Sequence, residues 1–72
     1  MINRDEVIRI KSMYTPGTRI RLTSDMDDPY CSIHAGSEGV VNFVDDAGQI
    51  HMKWNNGSTL ALIPGIDSFE RI

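Results

Sequence analysis

A mainly β fold, one small barrel preceded by a short amino-terminal helix, is what this sequence predicts, and three observations carry the prediction. Residues 38–62 read as three consecutive antiparallel strands joined by two tight turns. Residues 18–23 alternate apolar and polar, and residues 68–72 offer a last short strand. The residues before Pro16-Gly17 carry helical spacing instead.

The helix has a marked start. Asn3 is placed to cap it, Glu6 stands three positions on as the partner of a capping box, and Ile2 and Val7 form a hydrophobic staple. Asp5 and Glu6 complement the positive end of the helix dipole, and Asp5 with Arg9 makes an i,i+4 pair of about 0.2–0.5 kcal/mol. Val7, Ile10 and Tyr14 share one face, which Ile8 and Met13 widen, and Pro16-Gly17 ends the helix. So short a helix is marginal alone. Its stripe must be buried against its own barrel or against a second copy, with Ile8 the residue that separates the two arrangements.

In residues 18–23, Ile20 and Leu22 point inward while Arg19, Arg21 and Thr23 point outward. The two arginines are either the charges of a solvated edge strand or the start of an anion site. Residues 24–37 lack a clear period, and long loops in compact domains are often binding loops. Asp25, Asp27 and Asp28 imitate a calcium loop only at its beginning, because Tyr30 stands at the sixth position and Gly36 at the twelfth. Cys31, His34 and His51 lack the spacing of a zinc site, and no motif surrounds Cys31 as a nucleophile.

The first hairpin turns at Asp45-Asp46-Ala47-Gly48, and two registers compete there. One pairs Phe43 with Ile50 and Val41 with Met52; the other is built on Val40 and Val44. For the second hairpin, a two-residue Asn56-Gly57 loop would put Leu60 and Leu62 beside His51 and Lys53. A three-residue Asn55-Asn56-Gly57 loop with Gly57 in a bulge pairs Trp54 with Ser58, Met52 with Leu60 and Ile50 with Leu62. Only this loop makes one face consistently apolar. After the break at residues 63–67, the final strand carries Phe69 and Arg71 on one face and Glu70 and Ile72 on the other. Five short strands, a long first loop and a turn before the last strand describe an SH3-like barrel. The organisation is a helix over residues 1–15 and a barrel over 16–72.

Composition sets the outer limits. A chain of 72 residues holds one small core, and oligomerisation is a common remedy at that size because Cys31, the only cysteine, makes no internal disulfide. A lone thiol fits a cytoplasmic protein, and neither a signal peptide nor a membrane-spanning run is read in the sequence. Seven Lys and Arg against ten Asp and Glu give a formal charge of −3, which argues against binding duplex DNA. Arg4, Arg9, Lys11, Arg19 and Arg21 still allow a local basic patch.

Over residues 15–72 the sequence resembles a known family. Pro16-Gly17-Thr18, Met26-Asp27-Asp28-Pro29, Gly36-Ser37-Glu38-Gly39-Val40-Val41 and Val44-Asp45-Asp46-Ala47-Gly48 carry the likeness, with Ile50-His51, Trp54-Asn55-Asn56-Gly57 and Leu60-Ala61-Leu62-Ile63-Pro64-Gly65. They are similar to an uncharacterised family of small bacterial and phage proteins, catalogued as a domain of unknown function. The family has Asp-Asn-Gly after the tryptophan where this chain has Asn55, and glycine where it has Ala61. The resemblance implies the SH3-like fold and names no activity.

Function is therefore read by class. An enzyme would need an activated nucleophile or a paired acid and base, and no such pair is placed by the sequence. The expectation is a non-catalytic binding module of phage or mobile-element origin, without metal or cofactor, docking on a partner protein or binding a small anionic ligand. Tyr30, His51 and Trp54 are the natural contacts, with Arg19, Arg21 and Lys53 for an anionic group, although the alternation of Trp54 with Ile50 and Met52 equally makes it a core residue. The alternative is a counter-defence sponge that holds a small nucleotide signal between subunits, since a chain this short has little room for a deep pocket of its own. A homo-oligomer through the amino-terminal helix fits either reading.

Overall fold

The structure, a computed structural model, describes residues 3–26 and 33–72. Helix α1 spans Arg4–Met13. Its start is held by Asn3, whose Oδ1 accepts the Glu6 amide at 2.8 Å. The Glu6 carboxylate pairs with Arg9 at 3.2 Å. Arg9 thus takes Glu6, one position nearer than the expected Asp5, and the Ile2 staple lies outside the described residues. Val7 and Ile10 are buried, whereas Ile8 is 53% exposed on the other side. The expected intramolecular face is the one the helix buries.

Four strands follow: β1 (Arg19–Leu22), β2 (Glu38–Val44), β3 (Ile50–Trp54) and β4 (Phe69–Arg71). They form one antiparallel sheet in the order β3-β2-β1-β4. β1 is therefore an interior strand, which corrects its reading as an edge: residues close to the end of the chain return to cover its free side. Ile20, Leu22, Val41, Ile50, Met52 and Trp54 supply the sheet's share of the core, joined by Ile10, Ile33 and Leu62.

The first hairpin takes neither rival register whole. Val41 pairs with Met52, but the register then shifts, so that Phe43 faces His51 and Val44 faces Ile50. The extra residue, Asn42, reverses the alternation midway along β2. The expected Phe43–Ile50 pair is thereby replaced, and Phe43 emerges 47% exposed.

The second hairpin closes with the three-residue loop. Trp54 N–H donates to Ser58 O at 2.9 Å, Gly57 N–H to Trp54 O at 3.0 Å, and Ile50 and Leu62 exchange bonds of 2.9 and 2.8 Å. Between these points the expected strand does not form. The Trp54 indole Nε1–H takes the Leu60 carbonyl at 2.9 Å, and Leu62 is left as a single bridge. The sheet is four-stranded and open.

Gly57 has φ +90°, and a Cβ there would meet no neighbour within 4 Å, so backbone conformation alone sets the cost of replacing it. Gly57→Val is expected to lose about 1–3 kcal/mol. Asn56→Asp should lose under about 0.5 kcal/mol, because its carboxylate would keep the bond that Asn56 Oδ1 accepts from Ser58 N–H at 2.9 Å. Thermal melts of both variants check this, and equal losses would mean the turn is wrong.

Two ties bind the helix to the sheet. Lys11 Nζ meets Asp46 of the first turn at 2.8 Å. At the other end, Arg71 donates to the Met13 carbonyl at 3.3 Å and lies 5.9 Å from the centre of the Tyr14 ring. Tyr14 packs edge-on against Phe69 at 5.6 Å.

Candidate functional site

Cross-strand partners share a face of a sheet. The pairs Arg19–Val40, Arg21–Glu38, Arg21–Glu70, Val40–Lys53 and Phe43–His51 therefore assemble one outer face, opposite the core. Of the six candidate ligand-binding residues, Arg19, Arg21, His51 and Lys53 stand together on it. Trp54 lies on the inward face at 2% exposure and is a core residue. Tyr30 lies outside the described residues.

The charges on this face are unevenly compensated. Arg19 meets Glu38 at 3.1 Å, and Arg21 meets Glu38 at 3.6 Å and Glu70 at 3.2 Å. Exposed pairs of this kind are worth about 0–1 kcal/mol each. Their effect here is to occupy both arginines. Lys53 pairs with no carboxylate among the described residues.

Beside Lys53 the two rings of Phe43 and His51 stack, with centroids 4.3 Å apart and planes 6° from parallel. Asp45 fixes the imidazole: its Oδ2 lies 2.8 Å from His51 Nε2. Its Oδ1 accepts the Ala47 and Gln49 amides at 3.0 and 2.9 Å, so one carboxylate holds both the turn and the ring. The His51 hydrogen bond holds the Asp45 carboxyl below its ordinary value against the opposing effect of burial, helped by those two amides.

That direction has a consequence for stability. A carboxyl with a depressed folded pKa stabilises the fold above its unfolded pKa, about 3.9, and the contribution is lost as pH falls through the folded value. Between about pH 5 and pH 2, stability is expected to fall more steeply in the wild type than in Asp45→Asn. Denaturant melts across that window test this, and parallel curves would refute it.

A groove runs between β3 and the turn that follows it. Phe43, His51, Met52, Lys53, Asn55 and Thr59 are among its walls. Among the described residues no group of three His, Cys, Asp or Glu side chains is placed to hold a metal. Among the same residues no helix is long and apolar enough to cross a membrane.

Residues 3–72 match the family described as Domain of unknown function (DUF4314). The chain belongs to the DUF4314 family. Comparison with curated proteins and with solved structures gives no match.

Phe43 is the member of that face which sequence reasoning missed. Strict alternation from Val41 turns it inward, and only a bulge turns it out. The available signal was the pair of rival registers itself, because Val41 and Val44 both suit the core only if one residue between them is unpaired.

Proposed function

We propose that this DUF4314 domain is a non-catalytic binding module of SH3-like build, which docks on a partner protein through the outer face of β2 and β3. The build is supported by the strand order: the segment around Leu62 lies beside β3 and β4 lies beside β1, the arrangement of a five-stranded meander whose fourth strand is worn down to a bridge. One observation carries the docking face. Phe43 is nearly half exposed, yet it is held flat against an imidazole that Asp45 has locked in place. A rigid aromatic beside a cation is the kind of anchor that dominates protein interfaces, because little conformational entropy is lost when it is covered.

The same stack favours a second reading. A nucleobase could cover the free face of Phe43 while Lys53 meets its phosphate, with a second copy closing the groove.

Affinity capture separates the readings when wild type, Phe43→Thr and Ile66→Asp are compared. Ile66 is an exposed apolar residue in another part of the chain, at 77%. A protein held by wild type and Ile66→Asp and lost by Phe43→Thr is the expected result, with Phe43→Thr melting within a few degrees of wild type. Equal retention by all three sinks the docking face. A nucleotide seen in native mass spectra only with a dimer would favour the second reading.

A further inference from the structure

Phe43 stands between two depressions that differ in chemistry. On one side is the groove beside β3, which holds His51 and Lys53. On the other, between β2 and the end of α1, Tyr14, Pro16, Phe43 and Val44 line a notch together with Lys11. The notch measures ≈ 240 Å³, below the roughly 300–1,000 Å³ of small-molecule pockets, and its ring and aliphatic walls suit a single apolar side chain. Phe43 is shared by both.

Each depression carries one lysine, and the two are not equivalent. Lys11 is already matched, by Asp46 at 2.8 Å. Lys53 is exposed, meets no carboxylate among the described residues, and is the only formally charged residue on the walls of its groove. Asp45, the acid beside the stack, has both oxygens taken: Oδ2 by His51, and Oδ1 by the Ala47 and Gln49 amides. With both arginines of this face held by Glu38 and Glu70, Lys53 is the cation left for an incoming charge. The chain is acidic overall, at −3, so the match is local: one carboxylate at one lysine, among the polar side chains of Asn42, Asn55 and Thr59, rather than a run of acids.

We infer that the partner segment docking here carries one apolar side chain, seated in the notch, and one carboxylate, set at Lys53, an inference that rests on the docking reading above and names the occupant's chemistry. Phe43 lies opposite His51, and Lys53 stands two residues further along β3 on the same face. That step is about 6.5–7 Å, which is also the distance between side chains on one side of an extended peptide. Because the notch lies beyond the Phe43 ring, the two anchors of the segment fall about two to four residues apart. Its backbone between them covers Phe43.

The test titrates the full chain, labelled with ¹⁵N, with acetylated and amidated octapeptide pools that carry leucine and glutamate at that spacing and are degenerate elsewhere. Matching pools replace glutamate by glutamine or leucine by serine. The leucine–glutamate pool is expected to shift the amides of Phe43, Val44 and Lys53. Glutamine should weaken binding about three- to fivefold, the scale of one exposed ion pair, and added salt should erase that difference. Serine should weaken it about tenfold. Lys53→Gln is expected to bind the glutamate and glutamine pools alike while keeping the preference for leucine. Equal binding of those two pools by wild type, or of the leucine and serine pools, would overturn the inference and leave docking on this face intact. No shift from any pool overturns it as well, and the comparison of Phe43→Thr with wild type then decides docking on its own. Tighter binding of AMP than of the leucine–glutamate pool would give the face to a nucleotide, and a dimer of the free chain that Phe43→Thr abolishes would give it to a second copy; either result overturns the inference.

Discussion

Gly39→Ala is expected to lower the melting temperature by about 10–20 °C, from a loss of about 2–3 kcal/mol. Gly39 lies in the middle of the sheet, opposite Ile20 on one side and Trp54 on the other. A Cβ on it would come 2.7 Å from the Lys53 carbonyl oxygen, 2.9 Å from Trp54 Cα and 3.0 Å from Trp54 Cε3. Two of those atoms are main chain, so no rotamer change relieves the clash. β2 and β3 must separate, or the indole must leave its place. A domain of this size has only about 4–11 kcal/mol in total, so one methyl group consumes a large part of it. Denaturant and thermal melts measure the loss. A variant that melts within a degree or two of wild type would show that the strands do not approach this closely.

The second large effect is at Trp54. Trp54→Ala is expected to lose about 3–5 kcal/mol, enough to leave much of the population unfolded at ordinary temperatures. The indole fills the inward face of β3 and also holds Leu60 by its N–H. Trp54→Phe separates these roles. It keeps an aromatic ring and removes the donor, so the expected loss is smaller, about 1–2 kcal/mol. Thermal and denaturant melts of the two variants give both results. If Trp54→Phe costs as much as Trp54→Ala, the tryptophan acts through its volume and the hydrogen bond is incidental.

Most of the secondary structure was legible because local chemistry and burial agree. Asn3 before a helical stripe, the alternation of Ile20 and Leu22, and Gly57 at the end of a three-residue loop each describe what forms. The failures occur where a tertiary contact overrides local pattern. Strand pairing at Leu60 is lost to an indole donor several residues away in sequence, and hydropathy carries no trace of that competition. β1 looks like an edge strand because the strand on its second side, with Glu70 meeting Arg21, lies 49 residues further along the sequence. Arg19, Arg21, His51 and Lys53 could be placed on one face from period alone, whereas Phe43 could not, since a bulge changes the period where it stands.

The position of β1 between β2 and β4 also bears on the order in which the molecule is made. Arg21 waits for Glu70 across 49 residues, and the Met13 carbonyl waits for Arg71 across 58. During synthesis, the helix and the β2–β3 hairpin emerge with their local bonds available, while one flank of β1 stays bare until the final strand leaves the ribosome tunnel. Closing so wide a loop slows folding relative to a helical chain of equal length. Ile20 and Leu22 are fully sheltered only after that closure, so the nascent chain is most open to proteases and to association with other chains in the interval before it.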